Sequence, residues 1–79
     1  ARANGMARKL ADGLVARGVS LAFEPQGNEV FAMLPDDQVT ALRAAGAVFY
    51  PWMGGSQRFV CSWATEDTEI ERFLSVLDA

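Results

Sequence analysis

The sequence contains no histidine and a single cysteine, Cys61. One cysteine cannot form an internal disulfide, and without histidine a zinc site has almost no ligands to draw on. A cysteine nucleophile is also unsupported, because no histidine is present to activate the thiol. We therefore expect no metal site, a reducing cytoplasmic environment and a core-packing role for Cys61.

Long apolar runs and clusters of basic residues are missing as well. No stretch approaches the roughly 20 apolar residues that a membrane-spanning helix needs, and no signal peptide is visible. The seven Lys and Arg residues are scattered and the net charge is -3, so no basic surface for nucleic acid or anionic lipid is indicated. The sequence predicts neither a membrane nor a nucleic acid as a partner.

What the sequence does contain is largely apolar, since 51% of its 79 residues are hydrophobic and two are tryptophan. This length suits one domain, spanning residues 1–79, with a core of marginal size. So high an apolar content on a small domain indicates packing against another domain or subunit. The first residues are helix-like and include no initiator methionine, so we expect a piece of a longer chain.

Hydrophobic periodicity and turn residues divide the chain into seven elements. In order, these are a helix that ends at Gly18, strands at 19–23 and 29–34, a helix from Pro35 to Gly46, strands at 47–52 and 57–63 joined by the glycine pair Gly54 and Gly55, and a helix capped by Thr65. This helix-strand-strand-helix-strand-strand-helix order predicts an α+β fold, with a small, mostly antiparallel four-stranded sheet and three helices on one face. The other face of the sheet is left open.

Arg58 is the one charged residue of the last predicted strand. Alternation along that strand places Phe59, Cys61 and Trp63 on its apolar face. Arg58 shares the opposite, open face with Val60 and Ser62. A planar guanidinium on a rigid strand suits a carboxylate or a phosphate, whereas an ordinary surface arginine is simply solvated.

Four segments, taken in order, carry a family resemblance. They are residues 28–31 (NEVF), 42–46 (LRAAG), 49–52 (FYPW) and 58–65 (RFVCSWAT), the last followed by an acidic helix. The series resembles the C-terminal small domain of low-specificity threonine aldolases, which are pyridoxal-phosphate enzymes of the aspartate aminotransferase fold (fold type I) in the β-eliminating lyase group. One departure is Cys61, where the family often has threonine.

The resemblance implies a site divided between two domains. In that family the large domain carries the lysine that binds the cofactor, the aspartate that pairs with the pyridine nitrogen and the phosphate-binding loop. We therefore expect no catalytic or cofactor-binding residue among these 79, and a solvated surface position for the single lysine, Lys9. The small domain contributes one arginine that binds the substrate α-carboxylate, and Arg58 matches it. From its place on the same face as Arg58, Ser62 is either the source of a supporting hydrogen bond or an ordinary strand serine.

For the intact protein the resemblance implies a lyase that cleaves β-hydroxy-α-amino acids, of the threonine, allo-threonine or phenylserine type, to glycine and an aldehyde. An arginine fixes both the position and the plane of the substrate carboxylate, as an oriented bond cleavage requires. The expected partners are the amino-acid substrate, the large domain of the same chain and further copies in a homo-oligomer. The 79 residues alone are expected to be inactive.

Two other functions remain open from the residues themselves. The chain fits a freestanding regulatory α+β module in which Arg58 binds a small carboxylate without any reaction. It also fits a structural or dimerisation domain whose open sheet face packs on a partner. Tyr50 and Trp52 either border a pocket or pack in the core or against another domain. Glu29 fits the family pattern without a role that the sequence assigns.

Overall fold

The computed structural model describes residues 2–62 and 64–78, so Trp63 and its predicted place on the apolar face lie outside the described residues. The elements are α1 (Arg2–Ala16), β1 (Ser20–Leu21), β2 (Glu29–Met33), α2 (Asp36–Ala44), β3 (Tyr50–Pro51), a 3-10 turn (Met53–Gly55), β4 (Gln57–Val60) and α3 (Asp67–Val76). None of the helices in these ranges is long and apolar enough to cross a membrane.

The four strands form one antiparallel sheet in the order β1-β2-β4-β3. Both predicted strand pairs, β1 with β2 and β3 with β4, are present. The centre of the sheet is the pairing of β2 with β4, in which Val30 lies opposite Phe59 and Phe31 lies opposite Arg58. Facing residues of an antiparallel pair point to the same side of the sheet, so this register assigns every central side chain to one of two faces.

One face of the sheet is covered by all three helices. The buried residues of this single core are Ala7, Leu10, Ala11 and Leu14 of α1, Leu42 of α2, Ile70 and Leu74 of α3, Val30, Ala32 and Phe59 of the sheet, and Val19, Ala47, Phe49 and Cys61 beside it. Cys61 is therefore part of the core. The predicted α+β architecture, with helices on one side and an open face on the other, is confirmed.

Glycines end the first two helices as predicted. Gly18 and Gly46 have φ values of 81° and 97°, in the left-handed region that glycine adopts without a Cβ penalty. After each glycine the chain turns back, and the N–H groups of Val19 and Ala47 donate to carbonyl oxygens of Leu14 and Leu42 at 3.0 Å. Because these N–H groups complete helix ends, the first and third strands begin later than the predicted residues 19 and 47.

The predicted cap of α3 is wrong by one residue. Thr65 was the expected N-cap, but Glu66 holds that position, and its N–H donates to the Glu69 carboxylate at 3.0 Å. The hydroxyl of Thr65 is already engaged, since it accepts the N–H of Ser62 at 2.9 Å. The reciprocal pair of glutamates forms a capping box that satisfies N–H groups otherwise left unpaired at the start of the helix.

Gly13 of α1 lies directly against Leu74 of α3. A Cβ added at Gly13 would lie 2.3 Å from Leu74 Cδ1 and 3.2 Å from Leu74 Cγ, whereas a Cβ at Gly5 would meet nothing within 4 Å. Leu74 is buried in the core, so its side chain cannot move aside without disturbing its neighbours. Glycine at position 13 is thus required by packing rather than by backbone conformation.

We expect Gly5→Ala and Gly13→Ala to change stability in opposite directions. Alanine in a helix is favoured over glycine by up to about 1 kcal/mol, and Gly5→Ala should show that gain. Gly13→Ala has the same propensity gain but overpacks Leu74, so we expect a net loss of about 1 kcal/mol. Urea denaturation of the two variants measures the difference directly. Equal stabilisation by both substitutions would contradict the close approach at Gly13.

Candidate functional site

The open face of the sheet is lined by aromatic side chains. Phe31 lies at its centre, opposite Arg58 in the strand pairing, and is only 6% exposed. Phe23 meets Phe31 edge to face at 5.4 Å between ring centroids, and Trp52 lies 6.0 Å away on another side. Tyr50, at the margin, is 56% exposed. These rings form a second, smaller apolar layer on the open face.

Arg58 lies in this layer, on the face opposite the core as its position in the strand predicts. It is in β4, between Phe31 of β2 and Tyr50 of β3. A backbone paired on both sides gives the side chain a rigid base. The side chain is 32% exposed, so the guanidinium is partly covered by protein and partly open.

Glu29 is the charged partner of Arg58. It begins β2 opposite Val60, two residues from Arg58 along β4 and on the same face. One carboxylate oxygen, Oε2, lies 2.5 Å from both Nε and Nη2 of Arg58. The carboxylate therefore holds the side of the guanidinium that carries Nε, through two charge-assisted contacts to a single oxygen.

Trp52 packs on Arg58 from the other direction. The indole ring lies 4.9 Å from the guanidinium carbon of Arg58, within the range of a cation–π contact. The 3-10 turn fixes the backbone that carries the ring, because the backbone N–H of Trp52 donates to the Ser56 carbonyl at 2.8 Å and the buried Ser56 hydroxyl donates to the Met53 carbonyl at 2.8 Å. Trp52 thus borders the site of Arg58.

The remaining edge of the guanidinium is open. A guanidinium has five N–H donors. Glu29 accepts a hydrogen bond from the Nε–H and is in ion-pair contact with Nη2. Across residues 2–62 and 64–78, Nη1 of Arg58 has no hydrogen-bond partner. The N–H groups of Nη1 and Nη2 can therefore donate hydrogen bonds to the two oxygens of one further carboxylate.

Ser62 lies beyond the end of β4, in the turn that leads to α3. Its hydroxyl accepts the N–H of Ala64 at 3.2 Å, and its own N–H donates to Thr65 Oγ1 at 2.9 Å. Among the described residues no hydrogen bond joins Ser62 to Arg58. A supporting role for Ser62 at the arginine stays a prediction.

The surroundings of the Lys9 amine and the Cys61 thiol disfavour the deprotonated forms in which these groups act as nucleophiles. The Lys9 amine contacts Asp67 and Glu71 at 2.9 Å each, and the hydrogen bonds to Asp67 and then Glu71 raise the pKa of Lys9. Burial, with a smaller effect of Glu69, raises the pKa of the Cys61 thiol. Both shifts favour the protonated form, the ammonium of Lys9 and the thiol of Cys61.

Pyridoxal phosphate does not fit the described residues. Its covalent attachment requires a neutral lysine amine, whereas Lys9, the single lysine, is held as an ammonium between two carboxylates on the outer side of α1 and α3. Within residues 2–62 and 64–78, no group of three or more His, Cys, Asp or Glu side chains is placed to bind a metal ion.

Comparison with known proteins identifies the same family by sequence and by structure. The low-specificity L-threonine aldolase of Pseudomonas aeruginosa is 51% identical over 73 residues, which cover 89% of this chain and 20% of that protein. The enzyme of the same name from a Pseudomonas species is 38% identical over 82 residues, covering 100% of this chain and 23% of that protein. No family model matches.

A solved structure of Leishmania major threonine aldolase superposes on this chain with a TM-score of 0.82 at 34% identity, covering 96% of this chain and 23% of that one. The chain thus spans between a fifth and a quarter of the length of each relative. The agreement extends over helices and sheet alike, since it covers nearly every residue. In sequence and in fold, this chain is a C-terminal domain of the threonine aldolase family.

Proposed function

We propose that this domain binds the α-carboxylate of an amino-acid substrate through Arg58, as part of a pyridoxal-phosphate-dependent aldolase. The intact protein cleaves β-hydroxy-α-amino acids of the threonine, allo-threonine or phenylserine type to glycine and an aldehyde. The family relationship supports the reaction class. Support for the role of Arg58 comes from its geometry.

The open Nη1 and Nη2 edge of Arg58 is the observation that carries the proposal. It combines a fixed cation, a rigid strand and two donors at the spacing of a carboxylate. Arginine suits this role better than lysine, because a bidentate contact fixes the plane of the carboxylate as well as its position. A fixed carboxylate orients the rest of the amino acid, including the bond that is cleaved.

The rest of the reaction belongs to another part of the longer protein. The described residues do not fit the cofactor, so we assign pyridoxal phosphate to the large domain of the same chain. Residues 1–79 then form the small domain, without activity of their own. The cytoplasmic location and the homo-oligomeric state of the intact protein stay predictions.

Apolar side chains around Arg58 support a large domain that covers this face. Tyr50, Trp52 and Val60 are each more than two fifths exposed beside the guanidinium. Covering them removes apolar area from water and also excludes water from the guanidinium, which strengthens its attraction for a carboxylate. The same exposed residues would serve a structural or dimerisation domain, but such a domain would leave the open arginine edge without a use.

Arg58→Lys in the full-length protein tests the proposal. The variant keeps the charge but loses the planar fork, and we expect the dissociation constant for glycine to rise about tenfold, the loss of one charge-assisted hydrogen bond. Isothermal titration calorimetry with glycine measures this change. Arg8→Lys, on the exposed side of α1, is the matched control. Unchanged glycine affinity would remove Arg58 from the site, and a full-length protein that binds glycine but does not cleave threonine would indicate a regulatory module.

A further inference from the structure

Glu29 places a negative charge beside the cation that is proposed to bind a negatively charged substrate. Such a carboxylate either competes with the substrate carboxylate for Arg58 or holds the Arg58 guanidinium in the orientation that binds the substrate. The geometry distinguishes the two, because Glu29 uses one oxygen and occupies the Nε side of the guanidinium. The edge formed by Nη1 and Nη2 lies beyond the Nε side and is left for the substrate carboxylate.

The backbone that carries Glu29 is itself fixed. Glu29 and Gln26 exchange backbone hydrogen bonds at 2.9 and 3.1 Å, which closes the turn before β2. The preceding residue, Asn28, is joined to Cys61 by two hydrogen bonds, one from its side-chain amide at 2.7 Å and one to its carbonyl at 2.9 Å. The carboxylate of Glu29 therefore projects from backbone that is hydrogen-bonded to Gln26 and, through Asn28, to Cys61.

We propose that Glu29 is a positioning residue that orients Arg58 for the substrate carboxylate, an inference that rests on the proposed function of Arg58. A free arginine side chain samples many rotamers, and ordering it at the moment of binding weakens affinity. The Glu29 carboxylate at the Nε side and the Trp52 ring beneath the guanidinium carbon order the guanidinium before the substrate arrives. Glu29 acts through Arg58 and does not touch the substrate.

Substitution of Glu29 in the full-length enzyme, with and without Arg58, tests this inference. We expect Glu29→Ala to raise the dissociation constant for glycine and the KM for threonine about tenfold, the effect of one charge-assisted hydrogen bond. Glu29→Gln should raise both about threefold, because the amide oxygen still accepts the Nε–H in a neutral hydrogen bond. In an Arg58→Ala background, Glu29→Ala should have no further effect, since the residue through which it acts is gone.

The parent, the two single variants and the double variant form a double-mutant cycle, and its results separate the alternatives. Equal losses from Glu29→Ala in both backgrounds would show a structural role and overturn the inference, while leaving Arg58 as the carboxylate ligand. Tighter glycine binding by Glu29→Ala would make Glu29 a competitor and overturn it as well. An unchanged Arg58→Ala single variant would instead overturn the proposed function. If Glu29→Ala does not fold, the isosteric Glu29→Gln completes the cycle, and Glu24→Gln on the exposed turn is the matched control.

Discussion

Replacing Arg58 with alanine in the full-length enzyme is expected to lower kcat/KM for threonine about 100-fold. Each charge-assisted hydrogen bond contributes about 1.5 to 3 kcal/mol, and the substrate carboxylate loses two of them when the guanidinium is removed. Water that enters the site restores part of that loss, which is why we expect the lower end of the combined range. The partly buried carboxylate of Glu29 loses its ion-pair partner at the same time.

Cofactor content separates this effect from a general loss of structure. We expect Arg58→Ala to retain its pyridoxal phosphate, because no described residue of this domain fits the cofactor, and to keep the circular dichroism spectrum of the parent. Arg8→Ala is the control, since its contact with Asp12 is a long, exposed pair at 3.9 Å that contributes little to stability. A kcat/KM that is unchanged in Arg58→Ala would show that another group binds the substrate carboxylate.

The helices and their ends were predictable from local sequence. Apolar residues at helical spacing located the buried side of α1, and Gly18 and Gly46 end the first two helices with positive φ. The cap of α3 was not predictable in the same way. Thr65 and Glu66 are both able to cap, and the choice depends on the turn at Ser62, which uses the Thr65 hydroxyl for its own N–H.

The site was predictable only in part, for a reason that lies in the sheet topology. Alternation along one strand placed Arg58 on the open face, because that pattern is local. Glu29 is 29 residues away, and its contact with Arg58 exists because β2 pairs with β4 across an intervening helix and strand. Two sequential hairpins do not specify how they join, so neither the central register nor the Glu29 contact follows from their sequences.

The core beneath the site is expected to depend most strongly on Phe49. It is 1% exposed and is the largest of the fully buried side chains among the described residues. Its ring stacks on Phe59 with centroids 4.5 Å apart, and the Arg43 guanidinium lies 4.2 Å from it. Arg43 also donates to the Phe49 carbonyl at 3.0 Å. Phe49 thereby joins α2 to β4, the strand that carries Arg58.

Phe49→Ala is therefore expected to lower the free energy of unfolding by about 3 to 5 kcal/mol, from the lost burial and the cavity left beside Phe59. A domain of this size is stabilised by only about 4 to 12 kcal/mol, so the variant should be close to its folding threshold. Urea denaturation followed by tryptophan fluorescence measures the change. Val48→Ala, one residue earlier and 71% exposed, should change the unfolding free energy by less than about 0.5 kcal/mol. Similar losses from the two substitutions would contradict the burial of Phe49 and the stacking that supports β4.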